Sequence, residues 1–514
     1  MKNQVNVNAI PAEKFEFAVE SDITHDKKLA TKPRSYLRDA FSRFCKNKGS
    51  VVAAIIIIFL VLFAIIAPFC TPYKVSDQDP SYSCALPRNE WFAEKTNFWD
   101  GCNEQRMNKE AFMRLYALGL ESGHNAVKNQ EYTVDENDMY IFRLDSYHKV
   151  GYQYRQLNPD EYEALQAYQN ETGIQVIYPY PASKPTASQD TNDANFYYKT
   201  KNVDGKTVID YDINGNIQPD YRSHAVGGRR RDKYESLRIP GDGANGVEYE
   251  YAIPNQTGWE VRVNYYEYYI YQHTQIFKDG IKKPSFLFGA TGAGQDIFSA
   301  LASGARFSFI FAIAVAAVNL IVGAIYGAIE GYYGGKADLI MERVSDILSA
   351  VPMMIVITLL KLHMGGSSQA LVLFLAFFLT GWIGMAGTTR MQFYRYKNQE
   401  YVLAARTLGA KDRRLMFKHI FPNALGTLIT SCVLIIPSMI YSETNLSYLG
   451  IINLSNGDLT SVGTLLAGGQ PYLSTFPHII FFPSLFLALL MLSFNLFGNG
   501  LRDAFNPSLR GTEG

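Results

Sequence analysis

The sequence predicts an α-helical polytopic membrane protein, with an α+β domain inserted between its first and second membrane helices. Three observations carry that expectation. Six apolar runs, at 51–69, 307–329, 346–362, 370–389, 424–442 and 479–497, each approach the ~20 residues a helix needs to cross hydrocarbon about 30 Å thick. A polar, tyrosine-rich block from 71 to 285 parts the first run from the others. Cations also gather on one side: Arg390 to Lys418 is dense in Lys and Arg, whereas Asn445 to His478 has neither. That asymmetry marks the cytoplasmic face and puts both termini there, with the insert outside the cell membrane.

Averages conceal this pattern. Over 514 residues the formal net charge is +0, and mean hydropathy is near neutral. No global charge excess points to nucleic acid. There is no GxxxxGK[ST] loop, so the chain is not expected to hydrolyse ATP itself.

In chain order, 1–49 reads as a cytoplasmic tail. Residues 1–30 are polar and aperiodic, a mobile tail. From Lys32 to Lys48, Arg34, Arg38, Arg43 and Lys46 alternate with Tyr36, Leu37, Phe41 and Phe44. That suits either an amphipathic helix on the inner membrane surface or a basic disordered anchor. Residues 50–70 hold the first span, which is not a cleaved signal: its leader is too long and no small-x-small site follows.

Within 71–285, helices are predicted over Asn108 to Gly123 and over Asp160 to Tyr168, behind Pro159. Ile174 to Tyr178 and Thr207 to Asp212 look like strands, with Asp204-Gly205 and Asn214-Gly215 as turns. Val247 to Gln272 alternates enough to suggest paired strands. Cys84 and Cys102 form either a disulfide or two free thiols. Cys45, Cys70 and Cys432 show no metal-ligand spacing, and His124, His148, His224 and His273 sit in no HExxH array. No metal site is expected.

Residues 286–508 carry the remaining spans, and 509–514 a second tail. Gly381, Gly384, Ala386 and Gly387 offer a small-residue face for close helix packing. Pro352 and Pro437 should kink their helices. Asp338 and Asp346 flank Arg343, an arrangement read as a structural ion pair at the membrane edge rather than a catalytic acid pair.

The most organised stretch is the loop at 398–423, NQEYVLAARTLGAKDRRLMFKHIFPN. Asn398 can cap a helix whose first turn holds Glu400. Gly409 can end that helix in a left-handed conformation. Gln399 to Leu408 then makes a rod about 15 Å long, with Ala404 and Ala405 leaving a shallow dent on it. Asp412 can start a second, basic helix through Arg413, Arg414 and Lys418. A short helix held parallel to the membrane is a natural handle for another protein.

This loop resembles the EAA motif of ABC-importer permeases in its dipeptide and oligopeptide form, through Glu400, Tyr401, Val402, Ala404, Ala405, Gly409, Ala410, His419, Pro422 and Asn423. Other family blocks are similar. One is Gly289, Gly294, Asp296, Gly304, Ala305 and Arg306, although Ala290 and Gln295 replace a family Asp and Arg. A second is Gly331, Tyr332, Gly334, Gly335, Asp338, Met341, Arg343 and Asp346. A third is Glu443 in ETNLSYLG, read as a packing or gate residue, and a fourth is Asn495, Gly498, Gly500, Leu501, Arg502, Asp503 and Pro507.

The resemblance implies six helices of type I ABC-importer architecture in a bacterial cell membrane. It implies a second, homologous permease, two cytoplasmic ATPases that hold ATP and Mg, and an external peptide-binding protein. The ATPases would grip Glu400, Tyr401, Ala404, Ala405, Arg406, Gly409 and Ala410. Oligopeptide or dipeptide is the implied cargo; nickel chelates or oligosaccharides are the alternative. A membrane-anchored extracellular enzyme or receptor, or an exporter, is the reading from another class. The insert is either a docking surface or a plain packing domain.

Overall fold

The computed structural model describes residues 36–93, 96–181, 199–221, 249–364, 368–455 and 460–505. The tails expected at 1–30 and 509–514 lie outside these.

Helix α1 (Tyr36–Lys46) stops at Asn47, whose side chain accepts from the Ser50 amide and starts α2 (Lys48–Cys70). Of the stretch expected as either an amphipathic surface helix or a disordered anchor, the described part is helical, and Ala40 and Phe44 face protein: they pack against Phe497 and Ala504. Ser50 Oγ donates to the Leu496 carbonyl at 3.3 Å. The first span is thereby clamped to the last.

The insert opens with a 3-10 turn at Pro80–Tyr82, capped by Asp79, followed by the single turn of α3 (Glu90–Ala93). Strands β1 (Cys102–Met107), β2 (Val127–Val134) and β3 (Tyr140–Asp145) make an antiparallel sheet ordered β1-β3-β2. It is backed by α4 (Lys109–Ser122), within the range predicted for a helix, capped by Asn108 and ended by left-handed Gly123. A second sheet sets β4 (Tyr152–Leu157), β9 (Trp259–Asn264) and β5 (Ile177–Tyr178) side by side, with β8 (Ala252–Pro254) also paired to β9. Beside it runs α5 (Pro159–Thr172), which extends four residues beyond the predicted Tyr168 because Gly173 is the first left-handed residue. β6 (Thr200–Val203) and β7 (Lys206–Ile209) join through Asp204 and Gly205, both at positive φ, the two-residue turn that hairpin twist favours.

One insert expectation is corrected. The paired strands end at Asn264, and Tyr265–Tyr271 is a helix, α6, capped by the Asn264 side chain. Every second residue there is aromatic or branched, so alternation looked strand-like. Tyr265, Glu267, Tyr268, Tyr269 and Tyr271 are all buried, a set that fits either period, and the helix is marked instead by its cap, the Glu267 amide donating to Asn264 Oδ1 at 3.3 Å.

Among the described residues, five helices are long and apolar enough to cross a membrane: α2, α7 (Ile297–Tyr333), α10 (Gln369–Tyr396), the Asp412–Tyr448 helix and α15 (His478–Phe505). The expected span at 346–362 is not one rod. α8 (Gly335–Ser349) and α9 (Met353–His363) meet at 72°, so the pair counts as a sixth span only if broken. Pro352 explains the break, since its ring bars the preceding residue from helix and it lacks an amide. Pro437 stays inside its helix.

The small-residue face expected on α10 is used in part: Ala386 is buried against α7 and a Cβ at Gly381 would strike the Asn319 side chain. Gly384 and Gly387 meet nothing within 4 Å. The glycine stripe that brings helices together is on α7: Cβ atoms at Gly323, Gly327 and Gly331 would strike the carbonyls of Trp382, Ala386 and Arg390 on α10. Such contact lets backbones approach and maximises dispersion. Gly327→Val should lower the unfolding temperature of the detergent-solubilised chain, with a loss of about 1–3 kcal/mol typical of overpacking. Gly384→Ala should leave it unchanged or raise it. Equal effects of the two would contradict this packing.

Candidate functional site

The loop between α10 and the next long helix forms three pieces. α11 is Glu400–Thr407, shorter than the rod expected at each end. Its N-cap is Gln399, whose carbonyl accepts from Val402 and Leu403, so Asn398 lies one residue outside and does not cap. Gly409 has φ +83 and no neighbour within 4 Å of a Cβ, as the sequence foresaw for a helix stop.

α12 (Asp412–Arg414) leads through a wide turn, Leu415–Ile420, into α13 (Phe421–Tyr448). The Phe421 amide reaches back to the Met416 carbonyl. Pro422 has no amide to offer the Lys418 carbonyl, which favours a widened turn at that point. His419 sits in it.

One face of α11 is fixed and the other is open. Val402 is fully buried with Phe393, Leu415, Met416 and Ile420, and Ala405 and Ala410 pack on the same cluster. Glu400, Tyr401, Ala404, Arg406 and Gly409 are exposed. The dent expected at Ala404 and Ala405 is therefore split: successive residues lie about 100° apart on a helix, so one alanine faces the body and the other faces away. Tyr401 Oη accepts from Asn423 Nδ2 at 3.1 Å, and that nitrogen also donates to the His419 carbonyl. The motif residues at both ends of the loop thus meet.

Behind the loop lies the end of α7. Tyr332 Oη donates to Asp412 at 2.6 Å, and an Arg406 guanidinium nitrogen lies 3.5 Å from the same oxygen. Lys397 Nζ donates to the Gly331 carbonyl at 2.9 Å, near the negative end of the helix dipole. Arg390 is held by Asp338 and Glu342 through paired contacts of 2.6–3.0 Å, with Glu330 at 3.7 Å. This corrects the ion pair expected on Arg343. Among the described residues that side chain pairs with Asp346, at 2.9 Å on an exposed face, and such a pair is worth under about 1 kcal/mol. Asp338 belongs to Arg390, brought close by the α7–α10 approach. Tyr332, Arg390, Lys397 and Glu342 are contributors the sequence reading did not single out for this site; only the Gly-Tyr-Tyr-Gly-Gly pattern hinted at the first.

The remaining candidates lie elsewhere. Asp296 caps α7 at the insert end, accepting from the Ser299 amide and hydroxyl, and burial pushes its carboxyl up to about 6. Arg306 is half-buried ten residues further along α7. Glu443 is fully buried on α13 and takes hydrogen bonds of 3.0 Å from Ser308 and Ser447. It stands beside α14 (Val462–Gly469), whose Gly463 lies against Thr444 and Ser447. Arg502 and Asp503 are exposed on the last turn of α15.

Of the two alternatives for the insert cysteines, the structure takes free thiols. Burial raises the Cys84 thiol and pushes that of Cys102 up to about 12, so neither offers the thiolate that begins exchange. His124 pairs with Glu267 and His273 with Asp279, each at 2.6 Å. His224 lies outside the described residues. Among those described, no group of three side chains is placed to hold a metal.

Two family descriptions match this chain. Residues 323–511 match a binding-protein-dependent transport system inner membrane component. Residues 35–87 match the N-terminal transmembrane domain of oligopeptide transport permease C. The oligopeptide transport system permease protein OppC of Bacillus subtilis is 44% identical over 223 residues, which is 43% of this chain and 72% of that protein. The dipeptide transport system permease protein DppC of the same organism is 38% identical over 224 residues, 43% of this chain and 69% of that protein. The Escherichia coli OppC is 36% identical over 223 residues, with 43% and 72% covered. Among solved structures, a chain of the MetNI methionine ABC transporter aligns over 40% of this chain and 96% of its own, with TM-score 0.33 and 14% identity.

Removing the Tyr332 hydroxyl isolates the loop-to-α7 contact. Tyr332→Phe should cost about 0.5–1.5 kcal/mol locally. Amide exchange should quicken over 400–414 while the global unfolding temperature barely moves. Unchanged exchange there would mean the hydrogen bond does not hold the loop.

Proposed function

This chain belongs to the oligopeptide and dipeptide permease family of binding-protein-dependent transport systems, and from that premise we propose that it is one permease subunit of an ABC importer for short peptides. It pairs with a second, similar permease. Two ATPase subunits, which hold the ATP and Mg, grip the exposed face of α11, and an external binding protein delivers peptide. In this reading both termini and the 398–423 loop are cytoplasmic and the 71–285 insert is extracytoplasmic. The clustering of cations between Arg390 and Lys418 supports that orientation.

The observation that carries the mechanism is the two-sidedness of α11. Its inner face is locked to the body by Val402, and its outer face presents Glu400, Tyr401, Ala404 and Arg406. A push on the outer face cannot be absorbed within the loop. It passes to α13 through Tyr401 and Asn423, and to α7 through Tyr332 and Asp412. Rigid helices then carry the displacement to the pathway between permeases, as one body rocking between two arrangements. No bond is made or broken on this chain.

Gly409→Asp tests the reading. The position has open space around it and aspartate tolerates left-handed backbone better than most residues, so the fold should survive. The variant should reach the membrane at normal levels, bind the ATPases weakly and lose peptide uptake; normal uptake would overturn the proposal.

For the insert we propose docking of the binding protein. Its placement immediately before the segment that leads into α7, and its wealth of tyrosine, suit an interface. Deleting 75–280 should leave the membrane helices assembled but abolish delivery by the binding protein. Intact delivery would reduce the insert to a packing domain.

A further inference from the structure

We propose that the cavity at the base of the insert, where its first and last segments meet the start of α7, binds a small zwitterion, an amino acid or short peptide. Its carboxylate rests on Arg155 and its ammonium lies among Asp79, Asp279 and Asp296. The proposal does not rest on the import reading, because binding is read on this chain alone.

The cavity has a volume of about 590 Å³, within the range of roughly 300–1,000 Å³ usual for small-molecule sites. Its walls are fixed before any ligand arrives. On one side the segment 73–79 is strapped to the start of α7. Ser299 Oγ donates to the Tyr73 carbonyl at 3.0 Å, and Gln295 Nε2 donates to the Val75 carbonyl at 2.8 Å. Gly294 lets that segment lie close, since a Cβ there would strike the Asp79 carbonyl. The other wall is α6 and the wide turn that follows it, Gln272–Phe277. Tyr265, Tyr269 and His273 line the cavity from there, spaced i, i+4 and i+8 along one helical face.

The lining carries opposite charges on different walls. Arg155 lies over the rings of Tyr265 and Tyr268, 5.0 and 5.7 Å from their centres. One of its terminal nitrogens donates to Gln153 at 2.8 Å, while its buried Nε has no partner among the described residues. A planar guanidinium in that state suits a carboxylate. Asp79, Asp279 and Asp296 also line the cavity, and among the described residues none of them is paired with Lys or Arg. Asp79 accepts instead from the Tyr265 hydroxyl at 2.7 Å, and Asp279 is paired with His273 at 2.6 Å. Asp296 is 4% accessible. Carboxylates so placed lack a strong counter-charge, which a ligand's ammonium supplies.

Two tyrosine hydroxyls mark where that ammonium lies. Tyr269 is 5% accessible, and its hydroxyl makes no hydrogen bond to any described residue, although its ring is held 4.1 Å from that of His273. A phenol buried in this way normally has a partner. Burial, with the charges of Asp79 and Asp279 added, holds it above the usual phenol range. Burial with Asp296 and Asp279 does the same for Tyr73. The two hydroxyls therefore share one negative field. An ammonium there donates to oxygen and is drawn to ring faces. Among the described residues no three acid, imidazole or thiol groups converge to hold a metal, so a cation with spread hydrogen-bond donors fits better than a bare ion.

The test uses the full-length chain in detergent, with no other subunit present, and equilibrium dialysis against radiolabelled tri-alanine. Saturable binding is expected. Acetylating the amino end of the probe and amidating its carboxyl end should each weaken it about tenfold. Arg155→Gln should abolish the preference for acid over amide while keeping the preference for a free amine. Tyr269→Phe removes a hydroxyl that holds nothing in the fold, and should weaken tri-alanine at least about threefold. Alanine run in parallel names the source. If it binds as tightly as tri-alanine, the site takes free amino acids; if it binds more weakly, the site takes peptides, and either result upholds the zwitterion. No saturable binding of either probe would overturn the proposal. Binding that both variants leave unchanged would also overturn it, by placing the ligand elsewhere on the chain.

Discussion

The architecture depends on α7 lying against the backbone of α10. In hydrocarbon no water can satisfy a stray polar group, and lipid tails are as apolar as side chains, so helices gain little by hiding from them. What remains is dispersion, which rewards closeness. The stripe Gly323, Gly327, Gly331 supplies it, because any Cβ there would collide with α10 carbonyls. Closeness has a second effect at the helix ends. It brings Arg390 to Asp338 and Glu342, and Lys397 to the last carbonyls of α7.

That junction makes α7 a 37-residue strut between two dissimilar ends. One end meets the 398–423 loop through Tyr332, whose hydroxyl donates to Asp412 of α12. The other begins at Asp296, where the chain returns from the insert. Glu443 with its serines, and α14 lodged on the small residues of α13, sit along the same strut. A displacement at the loop therefore has an unbroken path, while the sharp break between α8 and α9, at Pro352, lies off it.

The insert stabilises itself by other means. Its core is largely tyrosine, including Tyr82, Tyr147, Tyr152, Tyr162 and Tyr180, rings that combine a large apolar area with a hydroxyl needing a partner. Several find one: Tyr147 donates to the Leu86 carbonyl and Tyr180 to Glu260, at 2.8 and 2.7 Å. The Arg262–Glu121 pair, nearly inaccessible and 2.8 Å apart, is buried among these rings. Such a body holds its shape without a disulfide between Cys84 and Cys102.

The sequence by itself determined what is local or compositional. Apolar length marked the membrane helices, Gly409 marked the end of α11, and the order of residues through 398–423 identified the family. It failed wherever a distant contact decided the outcome. Alternating aromatics could not say that Tyr265–Tyr271 would coil, since both periods put rings inside until Asn264 caps the helix. Of the small residues on α10, Gly381 and Ala386 lie against α7 whereas Gly384 and Gly387 do not, because the relative rotation of two helices selects which positions are used. The same rotation gave Asp338 to Arg390, fifty-two residues away, instead of to Arg343, five away. Spacing along a chain fixes which groups can share a turn; it cannot fix which helix will lie beside them.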